Sequence, residues 1–211
     1  MKTLLLQNIG VQFVTKANIP ANFIDLFAQS SGLVCAQVGI TAIDDDVRRI
    51  FEPNAATISD RLSTIGKLVS IGVKTSARAD PLIHGVTDSD ESLSNLFSVI
   101  VKTGVKEVAI NYLFLRSAIK ESIEKNINDK ELLAKVLEPY SESTKLPIGL
   151  KNSQGVALTK EIREKEFEQI KKIASGFGLS VHICGCKNSD ITTESCHITR
   201  PIRTAQAALF T

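Results

Sequence analysis

The sequence predicts an α/β protein built on a partial parallel barrel. Short apolar, β-favouring segments alternate along the chain with segments that have helical period. The strand segments are nearly continuous in apolar residues, as expected for a parallel sheet covered on both faces. The order βαβαβαβ favours right-handed crossovers between parallel strands. Four barrel-type strands are too few to close a full α/β barrel of about 250 residues, so we expect an open, partial one.

Five segments are predicted as strands because they have strand length and are rich in β-branched, aromatic or small apolar residues. They cover residues 11–15, 33–40, 73–79, 108–115 and 179–184. The first four are the barrel-type strands, and the fifth belongs to the C-terminal part of the chain.

Four segments have the spacing of apolar residues that an amphipathic helix requires. They cover residues 20–27, 59–71, 93–101 and 161–172. Pro20 is placed at the start of the first, where its missing N–H costs little. Gly72 is placed to end the second. The last is rich in Glu–Lys pairs four residues apart, which indicates a solvated helix face.

The length and composition are those of an ordinary globular protein. The chain has 211 residues, 43% of them hydrophobic, and a formal net charge of +2. We expect residues 1–140 to form the partial barrel and residues 141–211 a helix–strand extension that carries the cysteines. Residues 141–155 are polar and rich in turn-forming types, which predicts a surface loop between the two parts.

Charge, hydropathy and cysteine content narrow the classes of function. A nearly neutral chain gives no electrostatic reason to expect nucleic acid as a partner. No apolar run approaches the roughly 20 residues that span a bilayer. The four cysteines, three of them close together near the C-terminus, look like reduced thiols or metal ligands rather than a disulfide framework. We therefore expect a cytoplasmic protein without a membrane segment.

Three short motifs follow one another along the first part of the chain. They are Thr-Lys ending a strand (residues 15–16), Glu-Pro…Arg (residues 52–61) and Pro-Leu-Ile-x-Gly-x-x-Asp after a strand (residues 81–88). In this order they resemble the radical S-adenosylmethionine (SAM) superfamily, and in particular its spore photoproduct lyase-like members. The resemblance extends over about residues 8–120. It implies an open barrel of six βα units, in which the four strands here would be the third to the sixth.

The family's cluster-binding motif is missing from this sequence. Enzymes of this family open with C-x3-C-x2-C, whose cysteines hold a four-iron cluster, whereas the cysteines here are at positions 35, 184, 186 and 196. The complete family enzyme would reduce SAM at the cluster to start radical chemistry on its substrate. The resemblance therefore implies a truncated or split protein. A partner chain that supplied the first two strands would pair along the edge of residues 11–15.

The motifs also imply residues that would bind SAM, since groups at the carboxyl ends of parallel strands converge on one mouth. Lys16 ends a strand and would pair with the SAM carboxylate, unless it faces solvent. Glu52 would contact the substrate or the SAM amino group, or would pair with Arg61 and fix the loop. Arg78 would hold a carboxylate or phosphate, or would form an ion pair with Asp80 or Glu52.

Two further positions complete the implied SAM site. Gly85 lies in a loop whose backbone, in the family, packs near the adenine of SAM, and a glycine permits that close approach. Asn111 lies within a predicted strand, where a polar side chain facing inwards could contact the cofactor. His84 and Tyr112 are adjacent to these positions. We interpret His84 more simply as a surface residue, whereas Tyr112 could contact the cofactor or belong equally well to the core.

The C-terminal cysteines form a second candidate site. Cys184, Cys186 and Cys196 could supply thiolates to zinc or to an iron–sulfur cluster, with His182 or His197 as a fourth ligand. Standard zinc sites use C-x2-C pairs, and this spacing differs. The alternative is three reduced thiols without a metal.

The sequence therefore leaves three hypotheses and does not settle whether the chain is an enzyme. The first is a truncated or split radical SAM-type protein acting on an unknown substrate. The second is a non-catalytic metal-binding or assembly module with zinc on the C-terminal cysteines. The third is an enzyme whose only cluster is held by those cysteines. Action on DNA rests on family association alone.

Overall fold

The computed structural model describes residues 1–148 and 153–194. The strands of its main sheet are β1 (Val11–Thr15), β2 (Val34–Gly39), β3 (Lys74–Leu82), β4 (Glu107–Tyr112) and β7 (Ser180–Ile183), and a hairpin is formed by β5 (Ser143–Ile148) and β6 (Ser153–Leu158). The helices are α1 (Lys2–Leu6), α2 (Ala21–Ala28), α3 (Asp45–Phe51), α4 (Ile58–Ser70), α5 (Asp90–Val101), α6 (Ser117–Asn126), α7 (Lys130–Leu137) and α8 (Lys160–Gly176).

The main sheet is parallel throughout, and its strands follow the order β1-β2-β3-β4-β7. Each strand is therefore added beside the one before it, which is the arrangement of a barrel wall. β1 has a hydrogen-bonded neighbour on one side only within the described residues. Because all strands point the same way, the residues that follow them meet at one edge of the sheet. The prediction of an α/β partial parallel barrel is confirmed.

One face of the sheet packs against the helices. Most residues of β2, β3 and β4 on this face are apolar and belong to one hydrophobic cluster. Val38, Ala79 and Ile110 lie there and are fully buried, against helix residues such as Leu68 of α4 and Phe97 of α5. This burial supplies the main stabilisation of the fold, at about 25 cal/mol per Å² of apolar surface.

The opposite, inner face of the same strands is polar. Arg78 Nη1 donates to Gln37 Oε1 at 2.9 Å, and Asn111 Nδ2 donates to Asp80 Oδ2 at 3.2 Å. These bonds cross from β2 to β3 and from β3 to β4, so the four side chains share one face. A strand that is apolar outwards and polar inwards suits a barrel whose interior binds a ligand rather than packing as a core.

Side-chain caps explain where several helices begin. A side-chain oxygen of the preceding residue accepts a backbone N–H of the first turn at α3, α4, α5, α7 and α8. The capping residues are Asp44, Thr57, Ser89, Asp129 and Thr159. Such a cap typically stabilises a helix by about 1 kcal/mol.

The predicted strands and helices are all present, but the predicted loop at residues 141–155 is wrong. β5 and β6 occupy most of it as an antiparallel hairpin, and a further bridge joins Leu115 to Val156. Polar and turn-forming residues predict an exposed loop. The hairpin is also held by its bridge to Leu115, a tertiary contact that the local sequence does not indicate. Four helices, α1, α3, α6 and α7, were also not expected.

The second predicted part of the chain joins the first. β7 pairs with β4, with Val181 beside Val108 and Ile183 beside Ile110. Both ranges therefore contribute strands to one sheet. The division into residues 1–140 and 141–211 stays a prediction. Within the described ranges, no helix is both long and apolar enough to cross a lipid bilayer.

Candidate functional site

A buried carboxylate lies between two cations at the ends of β1 and β2, and we call these residues the Glu52 cluster: Lys16, Glu52 and Arg61. Glu52 Oε1 accepts from Lys16 Nζ at 2.5 Å, and Glu52 Oε2 accepts from Arg61 Nη1 at 2.7 Å. Lys16 directly follows β1, Glu52 directly follows α3, and Arg61 lies in α4. Glu52 is 8% exposed and Arg61 is fully buried. The cluster therefore connects three segments at the carboxyl edge of the sheet.

Gly39 at the end of β2 lets the Glu52 cluster assemble. Its carbonyl accepts from Arg61 Nη1 at 2.8 Å. A Cβ atom at this position would meet Lys16 Cγ at 2.7 Å and Lys16 Cε at 2.8 Å. The stem of Lys16 thus lies directly against the backbone of Gly39, and any side chain there would displace the lysine.

The Glu52 cluster has one more positive charge than negative and has donors to spare. Among the described residues, Arg61 Nε and Nη2 are buried without a hydrogen-bond partner. Buried donors are nearly always satisfied, because an unmet one costs about 1–3 kcal/mol. The side chain of Lys16 is 33% exposed. Arg61 is fully buried, so a negatively charged or acceptor group of a ligand would meet the Lys16 ammonium.

A second carboxylate lies between two cations further along the inner face, and we call these residues the Asp80 cluster: Arg78, Asp80 and Lys187. Lys187 Nζ donates to both oxygens of Asp80 at 2.7 and 2.8 Å, and Arg78 Nη2 donates at 2.5 Å. Burial alone would raise the pKa of Asp80, but the charges and hydrogen bonds of Lys187 and Arg78 hold it below its ordinary value.

The Asp80 cluster continues into a chain of satisfied polar groups. Asn111, which is fully buried, donates to Asp80 and accepts from Asn188 Nδ2 at 2.8 Å. Asn188 Oδ1 in turn accepts from Arg163 Nη1 of α8 at 3.0 Å. Arg163 is fully buried and also bonds Asp190 through both Nη atoms and the carbonyl of Leu158 through Nε. The chain ties α8 and the segment after β7 to the sheet.

A third cluster, which we call the Asp88 cluster, consists of His84, Asp88 and Tyr112. Asp88 Oδ2 is 2.8 Å from His84 Nδ1 and accepts from the Tyr112 hydroxyl at 2.9 Å. The hydrogen bond to Asp88 raises the pKa of His84. Burial raises the pKa of Asp88, and the bond and charge of His84 outweigh it and lower that pKa. Tyr112 belongs to the apolar core on the helix side, so this cluster lies on the outer layer.

The predicted SAM-site residues are thus divided among the three clusters. Lys16 and Glu52 are brought together, and the expected Glu52–Arg61 pair is present. Arg78 pairs with Asp80, one of its two expected partners. Asn111 lies between Asp80 and Asn188. Whether any of these residues binds a cofactor stays a prediction.

Gly85 lies in a tight turn, and its predicted place beside the adenine of SAM stays a prediction. Its φ of +74° lies in the left-handed region, and its N–H donates to Asp88 Oδ1 at 2.7 Å. An added Cβ would reach Lys135 at 3.5 Å, an ordinary contact. The turn conformation therefore accounts for this glycine, as part of the Asp88 cluster.

The cysteine site stays a prediction. Cys184 is buried just after β7 and Cys186 is exposed, while Cys196 and His197 lie outside the described residues. No group of three potential ligands gathers within residues 1–148 and 153–194. Gly185 is needed for close packing, because a Cβ there would meet the carbonyl oxygen of Thr192 at 2.5 Å.

Sequence reasoning missed Lys187, Asn188 and Arg163. Arg163 shares a helix face with Phe167, Ile170 and Ala174, all of them buried. Its position four residues before the first of these apolar residues places it on the buried helix face, and this spacing could have predicted its burial. Lys187 has no comparable signal, because its partner Asp80 is 107 residues away along the chain.

Solved structures of spore photoproduct lyase share this fold. The structure complexed with dinucleoside spore photoproduct has a TM-score of 0.64 and 15% identity, over 83% of this chain and 51% of its own. A mutant has a TM-score of 0.65 and 16% identity, over 83% and 51%. A double mutant with bound AdoMet and dinucleoside spore photoproduct has 0.63 and 14%, over 82% and 50%. No family profile and no curated protein sequence matches the chain.

These likenesses show the fold alone: the described part of the chain shares the fold of the spore photoproduct lyase structures. The resemblance predicted from the three motifs is confirmed at this level. The chain spans about half the length of the spore photoproduct lyase structures that it matches.

Proposed function

We propose that this chain provides the SAM-binding part of a radical SAM-type active site whose cluster ligands lie outside these 211 residues. The observation that carries the proposal is the Glu52 cluster at the carboxyl edge of the sheet. It offers a buried carboxylate beside a partly exposed lysine, with an excess of one positive charge.

A Lys–Glu pair is complementary to the methionyl end of SAM, which carries both an ammonium group and a carboxylate. The Lys16 ammonium suits the ligand carboxylate, and Glu52 suits the ligand ammonium. Because Lys16 is partly exposed, exchanging its contact with Glu52 for a ligand costs little desolvation. Arg61 holds Glu52 in place from the buried side and acts as a positioning residue.

The other predicted ligands fit a supporting role better. The amide nitrogen and the amide oxygen of the Asn111 side chain are both bonded within the protein, and Arg78 bonds Gln37 and Asp80. Arg78 retains 13% exposure of its side chain, so it can add a favourable potential for an anion near the inner face. Gly85 would contribute to the site by shaping the turn in which it lies.

The described residues do not fit the iron–sulfur cluster of a radical SAM enzyme, because they gather no group of three metal ligands. In a complete active site, SAM supplies the radical that abstracts hydrogen from a substrate. We propose that a segment carrying C-x3-C-x2-C, in a longer polypeptide or in a partner chain, pairs along β1. β1 has an unpaired edge in the described structure, and parallel addition there would continue the barrel.

The proposal is tested by calorimetric titration of the folded chain with SAM, S-adenosylhomocysteine and 5′-methylthioadenosine. The last compound lacks the amino-acid group. We expect Lys16→Gln to weaken binding of the first two by about tenfold or more, because a charge-assisted hydrogen bond is worth roughly 1.5–3 kcal/mol. Binding of 5′-methylthioadenosine should not change.

The matched control is Lys165→Gln, which removes the same charge from a side chain that is 84% exposed on α8. Absence of SAM binding by the folded chain at millimolar concentration would refute the proposal. An equal effect of the two substitutions would refute the role of Lys16.

The alternative function is a metal-binding or assembly module with zinc on Cys184, Cys186 and Cys196. Metal analysis after anaerobic reconstitution with iron and sulfide separates the possibilities. Zinc that is lost in the triple Cys→Ala variant supports the module. Iron and acid-labile sulfide that depend on the same cysteines support a cluster at the C-terminus instead.

A further inference from the structure

A cavity of about 540 Å³ lies beyond the carboxyl end of β4, and no residue of the three clusters is among its described lining residues. It is enclosed by the start of α6, the end of α7 and the β5–β6 hairpin. Its volume falls within the range of about 300–1,000 Å³ that is common for small-molecule sites. None of the residues of the Glu52 cluster lines it.

The floor of the cavity is apolar and well fixed. Its apolar lining comes from Leu115, Leu137, Tyr140 and Val156. Leu115 and Val156 exchange two backbone hydrogen bonds, at 2.8 and 2.9 Å. The Tyr140 hydroxyl donates to the carbonyl of Leu113 at 2.6 Å, which leaves the ring as an apolar wall. An aromatic or aliphatic group could pack against these four side chains.

The rim of the cavity is positively charged. Arg116, Lys120 and Lys145 line it, with Glu124 as the one acidic lining residue. Glu124 is 3.8 Å from Lys120 and partly compensates that lysine. The side chains of Arg116 and Lys145 form no ion pair or hydrogen bond with any other described residue. Two uncompensated cations therefore face a cavity with an apolar floor.

We propose that this cavity binds an amphipathic organic anion, with an aromatic or aliphatic body and one carboxylate, sulfonate or phosphate group. The body lies on Tyr140, Leu115 and Val156. The acidic group lies at the rim, where the planar fork of Arg116 can bind two oxygens and Lys145 adds a point charge. This inference does not depend on SAM binding, because the two sites have no residue in common.

The probe for the test is 8-anilino-1-naphthalenesulfonate, whose fluorescence rises in an apolar site. Its neutral counterpart is N-phenyl-1-naphthylamine. We expect saturable binding of both by the folded chain. The double variant Arg116→Gln/Lys145→Gln should bind the sulfonate at least about tenfold more weakly and the neutral probe unchanged.

Two further variants make the result specific. Ser143→Trp places a large ring from the exposed first position of β5 at the lining and should abolish binding of both probes. Lys165→Gln/Lys171→Gln removes two exposed charges of α8 and should leave both unchanged. An unfolding midpoint for each variant shows that it is folded. Equal sulfonate affinity in the two double variants, or full binding by Ser143→Trp, would overturn the proposal.

Discussion

The Glu52 cluster and the Asp80 cluster each consist of one carboxylate, one lysine and one arginine. They differ in how many of their polar atoms have a hydrogen-bond partner. Each places one buried carboxylate between two cations, the Glu52 cluster at the carboxyl edge of the sheet and the Asp80 cluster on its inner face. In the Asp80 cluster, hydrogen bonds continue through Asn111 and Asn188 to Arg163. In the Glu52 cluster, Arg61 is fully buried and two of its nitrogens have no partner in the described part of the chain.

The difference favours a binding role for one cluster and a structural role for the other. A polar network that satisfies its own donors and acceptors fixes one geometry and has little left to offer a ligand. A cluster with unmet donors and a partly exposed lysine costs stability and gains by binding an acceptor. We therefore propose that the Glu52 cluster binds the cofactor, whereas the Asp80 cluster attaches the C-terminal part to the sheet.

The largest effect is expected from breaking the structural network at Arg163. Arg163→Met keeps an unbranched apolar stem but removes all bonds to Asn188 and Asp190. We expect the free energy of unfolding in urea to fall by about 3–5 kcal/mol, because the buried acceptors on Asn188 and Leu158 lose their donor, at about 1–3 kcal/mol each, and Asp190 loses its counter-charge. If the protein stays folded, its affinity for SAM should be unchanged. A loss smaller than that of the exposed control Lys165→Met would contradict the assignment.

An intermediate effect is expected from neutralising each central carboxylate in turn. Glu52→Gln should destabilise the protein by about 3 kcal/mol, because the fully buried Arg61 is left without a counter-charge. Asp80→Asn should cost about half as much, since Arg78 and Lys187 both reach solvent. Denaturant unfolding measures the loss of stability in both variants. Calorimetry measures their affinity for SAM, which only Glu52→Gln should lose. The reverse order in either measurement would contradict these two roles.

The smallest effect is expected at the Asp88 cluster, which lies on the outer layer and serves as a comparison for the inner face. The pKa of His84 is raised in the folded protein, so the pair contributes its full stability below a pH of about 6.5. That contribution disappears as pH rises through the folded-state pKa. His84→Gln should therefore cost up to about 1 kcal/mol at pH 5.5 and less at pH 9.

Unfolding in urea at the two pH values measures this difference. Asp88→Asn removes the partner and should give the same loss of pH dependence. A difference between wild type and His84→Gln that stays constant with pH would show that protonation of His84 is not involved.

The sequence by itself determined the type of fold and several local pairings. Residues 11–15, 33–40 and 73–79 alternate with helical segments, and that period predicted the parallel partial barrel because burial of strand and helix faces is encoded locally. The Glu52–Arg61 and Arg78–Asp80 pairs were predictable because each lies within a short motif. The absent C-x3-C-x2-C spacing is likewise a property of the sequence alone.

Only the tertiary structure decided how the polar residues are distributed among sites. Lys187 reaches Asp80 across 107 residues, and Asn188 reaches Asn111 across 77. The β5–β6 hairpin, which encloses the cavity, replaces an expected loop because its pairing with Leu115 is a long-range contact. Local sequence preferences describe the period of each element, whereas charge compensation and cavity shape depend on which elements meet in space.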